Sequence, residues 1–567
     1  MIVYREQRSV TGPAEALRAL GRRVEGLPSR PDHDEVVGLL VDLGVLEAGI
    51  ADALAPTEDG DEALGRELRR ASVAAGHLVA ASWRREEAGR WRDVLGRRLD
   101  ALAVLGLPEH VEVRVPEGFA QYGHFPECHL AAAERLFREL RPPSAICIGI
   151  RSIGTALSAV VAACLEDAGC LVSSYTVRPR GHPFDRRPAL SDSLRATLAA
   201  SAGALFLLVD EGPGLSGSSL AGTAESLSAL GIADDRIVLL PSWDPAPETL
   251  RSAVARRRWC RHRRYVSTFE EVWIDSGRLH DALGSAPVRD LSAGRWREEL
   301  IADTVRRPPV HPHHERRKYR SRGTLMRFVG LGGVAQARLA RARDLADSGF
   351  SPRPSGLAHG FLSRELVPGV PLARGEVDGE LLERMACYLA HLRGTFALSG
   401  SARTELGEMI EANLAGLPGA SRATRLAPFG DEPPVAVDGR MMPHEWLRTP
   451  GGYLKVDALD HHDDHFFPGP VDIAWDLAGA IVEFDMAPDA RGALMERYRR
   501  ASGDRTIAKR LPYYTAAYLA ARIGYTSLAA ETLHGSADGE GFARSRRRYA
   551  AALTSGALES PRRTRSA

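Results

Sequence analysis

The stretch "LLVDEGPGLSGSSL", Leu207–Leu220, decides how the first half of this chain is read. An apolar run ends in two adjacent acids and breaks at once into Gly, Pro and Ser. A short, fully apolar run of this kind is a strand buried on both faces, as in a parallel sheet. Upstream, "SAICIGI" and "CLVSSYTV" have the same character, and "RIVLL" follows, with the helical segments "ALSAVVAACLEDAG" and "SLAGTAESLSALG" between them. Apolar strands alternating with helices predict a doubly wound α/β unit with ligands beyond the carboxyl ends of its strands. Two glycine-containing loops, "GIRSIGT" and "DEGPGLSGSS", fall at such ends.

Composition sets the outer bounds. At 567 residues the chain is too long for one core. Its 74 basic and 73 acidic residues nearly cancel, so neither nucleic acid nor an anionic membrane is expected as a partner. Six scattered cysteines without a CxxC pair argue against a disulfide framework or a structural zinc site. The N-terminus "MIVYREQRSV" lacks a signal-peptide pattern, and no run of about 18 apolar residues occurs. Cytoplasmic residence is therefore expected, with small-molecule substrates as partners and a homodimer as an open alternative.

Along the chain, residues 1–112 read as a helical region and 113–250 as the parallel-sheet unit. Residues 251–314 read as an irregular linker, 315–557 as an α+β two-lobed unit, and 558–567 as a basic tail. The run "RRRWCRHRR" is read as a solvated helix face rather than a nucleic-acid patch. "PEGFAQYGHFPE" is either a hood over the first site, with Glu117, Tyr122 and Glu127 as contacts, or an aromatic plug between domains.

Chemistry concentrates in two places. Asp210 and Glu211 can accept hydrogen bonds from a vicinal diol, and "GPGLSGSS" exposes backbone N–H groups and hydroxyls at a helix start, a cradle for phosphate. An apolar strand, two acids and a Gly/Ser loop resemble the phosphoribosyl pyrophosphate (PRPP) motif of type I phosphoribosyltransferases. The resemblance implies that Asp210 and Glu211 hold the ribose hydroxyls in catalysis and that Ser216, Gly217, Ser218 and Ser219 wrap the 5-phosphate. It implies a pyrophosphate loop at Arg151, Ser152 and Gly154. A mobile loop would contribute Arg178, His182 and Arg186, and Mg²⁺ would accompany PRPP. One extra residue before the loop glycine, and Gly212-Pro213-Gly214 in the turn, depart from that pattern.

The second place is "VDGRMMPHEWL" with "GGYLKVDALDHHDDHFFPGPVDIAWDLAGA". Phosphoryl transfer needs an orienting carboxylate, a metal-binding carboxylate and a cation on the nucleotide phosphates. These segments, with "GTLMRFVGLGG" and "RELVPGVPL", resemble aminoglycoside and choline phosphotransferases. The resemblance implies ATP and Mg²⁺, with Asp438 in the catalytic position and Asp457 on the metal. Arg327 stands where the nucleotide lysine belongs, with Lys318 as the alternative. Pro443 fills the position of the usual Asn, leaving His444 or Glu445 to substitute. "HHDDH", His461–His465, is either a transition-metal site or a polar loop beside the nucleotide, in which Asp463 or Asp464 joins the Mg²⁺ shell. Asp472 and Asp476 read as structural, and Trp446 and Trp475 as core.

Two enzymatic sites on one chain suggest a bifunctional transferase. The alternative is a PRPP- or nucleotide-binding regulator with a degraded kinase-like domain.

Overall fold

A computed structural model describes residues 1–4, 6–214, 216–283, 288–399, 406–430 and 432–554. The expected basic tail lies outside the described residues.

Five parallel strands form the first sheet. In spatial order they are Leu171–Val177, Ser144–Ile150, Leu205–Val209, Ile237–Leu240 and Arg263–Arg264. After Ser144–Ile150 the chain goes to one neighbour, then crosses back to Leu205–Val209 on the other side. The order therefore reverses between Ser144–Ile150 and Leu205–Val209. The crevice at such a switch point lies beyond the strands' carboxyl ends. Both glycine-containing loops leave from there.

The N-terminal helices do not form a separate body. Pro13–Glu25, His33–Leu54, Ala63–Trp83 and Gly89–Ala103 share one apolar core with the sheet. Helix Ala63–Trp83 lies on Ile153–Asp167 so closely that a Cβ on Gly76 would stand 2.5 Å from the Ala159 carbonyl oxygen. Asp32 caps His33–Leu54 by accepting from the Glu35 N–H.

The region read as a linker is structured on both sides. Helix Ala253–Arg261 leads into Arg263–Arg264, which extends the parallel sheet past residue 250. Its basic run is largely solvated, with Arg256, Arg257, Arg261 and Arg263 exposed, while Arg258 and Trp259 are buried and Arg258 pairs with Glu225 and Asp234. Strand Arg289–Asp290 joins the edge of the next sheet.

That second sheet is antiparallel, in the order Arg289–Asp290, Lys318–Ser321, Thr324–Phe328, Phe361–Glu365, Pro354–Ala358, with helix Gly332–Asp347 across it. A segment through Val370–Pro371 connects it to a helical lobe containing Gly379–Thr395, Ala474–Glu483, Ile507–Thr532 and Ala537–Ala552. The two lobes expected for 315–557 are thus present, with 289–290 added. Among the described residues no helix is long and apolar enough to cross a membrane.

Candidate functional sites

The first cleft, of about 870 Å³, opens at the switch point and is lined by Arg151, Arg178, Asp210, Glu211 and the Ser216–Ser219 loop. Packing explains the two loops. A Cβ on Gly154 would lie 2.6 Å from the Val209 carbonyl oxygen, so only glycine lets this loop rest against the neighbouring strand. Ser152 adopts φ 142° and ψ −97°, a conformation that costs on the order of 1–3 kcal/mol and recurs in ligand clamps. Gly217 has φ +64° and starts helix Ser218–Ala229, whose first residues Ser218 and Ser219 line the cleft. Ser216 Oγ accepts from the Ser218 N–H at 3.3 Å, and Ser218 Oγ donates to the Pro183 carbonyl at 2.7 Å. Ser218 therefore anchors the arginine-bearing loop 178–191 as well as lining the floor.

Asp210 and Glu211 are half-buried at the mouth. Burial pushes Asp210 up to about 7, against hydrogen bonds from the Glu211 and Gly212 backbone. Burial, with the neighbouring Asp210 and Glu117 charges, pushes Glu211 up to about 8. Glu117 is raised to about 7, mainly by burial, while accepting from Tyr4 Oη at 2.6 Å. Among the described residues, none of these three carboxylates has an ion-pair partner.

The arginines at the other end are held by the helical region. Arg151 Nη1 lies 3.0 Å from both Asp52 and Asp59. Arg178 binds Asp52 through Nε at 3.1 Å, and Arg180 reaches Asp59 at 3.2 Å. Asp52 and Asp59 were missed in the sequence because nothing local marks them; they lie about a hundred residues from the arginines they orient. Arg186 lines the cleft too. His182 does not: it is exposed at the loop tip, away from the lining, because the loop turns there. Glu127 is also displaced from its expected role, buried against His33 at 2.7 Å. Glu117 lines the cleft beside the π-helical turn Gly118–Tyr122, but Tyr122 does not, its hydroxyl meeting His465 at 2.7 Å, while Phe119 and Phe125 plug the interior. Gly154→Ala should push the Arg151–Gly154 loop off Val209 and weaken any pyrophosphate-bearing ligand at least tenfold, as read by calorimetric titration.

The second cleft, of about 660 Å³, lies between the two lobes. Asp438 is not on its wall. It is fully buried, 3.0 Å from Lys455 Nζ, and accepts from Tyr388 Oη at 2.8 Å. Burial alone would raise Asp438, but the Lys455 ammonium, His461 and the Tyr388 hydroxyl together outweigh it and hold the carboxyl low. Lys455 also pairs with Glu445 at 2.9 Å and donates to the Asp457 carbonyl. Asp476 accepts from the Asp438 and Gly439 N–H groups at 2.6 and 2.9 Å, fixing that turn. Asp472 caps Ala474 and pairs with Arg510, so both acids are structural as expected. Trp446 and Trp475 are core.

Asp457 does line the cleft. Arg327 Nη2 lies 3.2 Å from it and 2.7 Å from Asp460. Lys318 stands opposite Arg327 across the hairpin, bound to Glu315 at 3.2 Å. Asp463 is not beside Asp457: its carboxylate turns to Arg338 at 2.8 Å. Asp460, which sequence reading passed over, takes that place, and Asp457, Asp460 and His461 could together hold a cation. Asp457 Oδ1 lacks a hydrogen bond, which suits an oxygen-seeking ion such as Mg²⁺ once Arg327 yields. "HHDDH" is otherwise a polar junction. Asp464 pairs with Arg316 at 2.8 Å, and His465 meets Tyr122 Oη at 2.7 Å. Arg316 also reaches Asp460 and Gln121, joining this loop to the hood of the first cleft. His444 lines the cleft, stacked on Trp296, while Glu445 is buried.

No protein family and no curated protein matches this sequence. Solved structures align with part of it. A choline/ethanolamine kinase family protein from Mesorhizobium loti aligns at 18% identity, covering 46% of this chain and 98% of that one, with a TM-score of 0.29. Macrolide 2'-phosphotransferase MphH from Brachybacterium faecium aligns at 16% identity over 51% and 98%, with a TM-score of 0.30. Choline kinase LicA from Streptococcus pneumoniae aligns at 14% identity over 42% and 89%, with a TM-score of 0.29. At such TM-scores the likeness assigns neither a family nor an activity to this chain.

Proposed function

We propose that the first cleft is a PRPP site and that the protein is a transferase of phosphoribosyl groups joined to a kinase-like phosphotransferase domain. One observation carries this. At the sheet's switch point, the acid pair Asp210–Glu211 faces a helix-start Ser216–Ser219 cradle, with the strained Ser152 loop and its arginines alongside. Asp210 and Glu211 accept the ribose 2- and 3-hydroxyls, and the cradle takes the 5-phosphate through backbone N–H groups. Arg151 and Arg178 face the pyrophosphate. Displacement breaks the bond from the anomeric carbon to pyrophosphate and forms one to the acceptor, and the acids stabilise the developing positive charge on the ribose. Mg²⁺ bound with PRPP neutralises the leaving group.

The carboxyls are raised to about 7 and 8 in the free cleft, and the diol requires them ionised. PRPP affinity should therefore rise from pH 6 to pH 9, and binding at pH 7 should release protons. Calorimetry of PRPP with Mg²⁺ in two buffers of different ionisation enthalpy checks both. A folded protein that binds no PRPP at any of these pH values would refute the reading.

A second reading applies to the C-terminal domain, in which it binds nucleotide and regulates rather than transfers phosphate. The closed Asp438–Lys455 and Asp457–Arg327 pairs favour it. Under the catalytic reading, Asp457 and Asp460 hold Mg²⁺ and both pairs open when ATP binds. Measurable ATP turnover lost in Asp457→Asn supports catalysis; ATP binding without turnover supports regulation.

A further inference from the structure

The wall of the second cleft opposite the antiparallel sheet is built by Arg440 and by helices Ile507–Thr532 and Ala537–Ala552. Its charges do not balance. Arg522 and Arg548 share one carboxylate, Glu483, at 3.4 and 3.0 Å. That carboxylate is already saturated, accepting from Tyr518 Oη at 2.9 Å and Tyr549 Oη at 2.7 Å. Across the cleft, Arg364 finds only the Val456 carbonyl among the described residues, at 2.6 Å. Arg327 is buried, and its Nε and Nη1 atoms have no hydrogen-bond partner. Other lining cations have acids of their own, Arg306 with Glu376, Arg374 with Asp485 and Arg440 with Glu445, so the surplus lies at Arg522 and Arg548 with their one shared acid and at Arg364.

A cavity that gathers surplus guanidinium groups under partial burial is stable only if an anion balances them. The segment read as a linker also roofs this cavity. Arg297 pairs with Asp538, the Val310 N–H donates to the same acid, and Pro309 lies against Gly541. The surplus on the helical wall is separate from the residues expected to meet nucleotide phosphates, which are Arg327, Lys318 and Asp457 on the sheet side. An amine-bearing acceptor would be repelled by this wall. Planar guanidinium forks suit phosphate oxygens.

We propose that the helical wall of the second cleft, through Arg440, Arg522 and Arg548, binds a phosphate-bearing small molecule at the same time as a nucleotide occupies the sheet side. This rests on reading the cleft as a nucleotide site. It makes the second cleft's acceptor or effector a sugar-phosphate-like anion, the same chemical class that the first cleft is built to handle.

The test uses the full chain with Ser216→Asp, which puts a carboxylate in the first cleft's phosphate cradle. Ribose 5-phosphate is titrated calorimetrically into this variant. One remaining site is expected. Adding Arg440→Gln and Arg548→Gln should weaken it at least tenfold, with folding checked by thermal melting because Arg440 also holds the buried Glu445 at 2.8 Å. Saturating non-hydrolysable ATP analogue should leave its affinity within about twofold. Absence of binding in the Ser216→Asp background overturns the proposal. So does indifference to the arginine pair, or displacement by the analogue, which would make the wall part of the nucleotide site. The first-cleft reading is judged separately, by PRPP binding to Arg440→Gln/Arg548→Gln with Ser216 intact.

Discussion

Replacing Asp210 with Asn and Glu211 with Gln together should abolish measurable PRPP binding while making the protein more stable at pH 8. Hydrogen bonds to charged groups contribute about 1.5–3 kcal/mol each, so losing the diol contacts at both acids costs affinity a hundredfold or more. The stability gain follows from the raised carboxyls. Burial lifts them to about 7 and 8 in the folded chain, against about 4 when unfolded. The folded state thus holds its protons more tightly, and stability falls as pH rises from about 4 to about 8. The neutral variant escapes that fall. Its unfolding midpoint should match the wild type at pH 4 and exceed it at pH 8, measured by thermal melts of both proteins across that range. A variant that loses PRPP binding and also loses stability would point to a structural acid pair.

Lys455→Met should be the most damaging single substitution in the C-terminal two-lobed domain. Lys455 is fully buried between Asp438 and Glu445. Burial penalises both acids, and the ammonium, helped by His461 and at Glu445 also by Arg440, outweighs that penalty and keeps them ionised. Removing one partner of a buried ion pair costs about 3–5 kcal/mol, because the other charge stays behind. The pair's contribution is lost as pH falls through the depressed carboxyls, or as it rises through the raised Lys455 ammonium. Between about pH 5 and 9 the loss on substitution should therefore be nearly constant. Chemical denaturation monitored at the C-terminal domain's tryptophans measures it. The triple variant Lys455→Met/Asp438→Asn/Glu445→Gln should recover part of the loss, since no uncompensated charge remains. Equal loss in single and triple variants would mean that packing, not charge, decides stability here.

Much of the first cleft was legible in the chain because its parts are local. Strand, acid pair, glycine loop and helix start lie within fourteen residues, Leu207–Leu220, and each has its own pattern of side-chain types. The orienting acids Asp52 and Asp59 were not legible. A lone aspartate on or after an amphipathic helix looks like any other surface acid until the helix packs beside the sheet. The same holds for "HHDDH". Residue types alone allowed a metal site, but the fold distributes these side chains among Arg338, Arg316 and Tyr122.

By itself, the sequence determined the central strands and helices of the parallel-sheet unit and the two loops that meet at the switch point, but not the helix and edge strands within 251–314. Periodicity, glycine and capping chemistry act over a few residues, and they decide those features before the chain closes on itself. Tertiary structure alone decided which charges neutralise which. It seated Asp438 on Lys455, set Arg327 against Asp457 and Asp460, turned Asp463 away, and left Arg522 and Arg548 to share Glu483. Electrostatic partnership depends on distance and burial in space, and residues brought together from far along the chain carry no local mark of it.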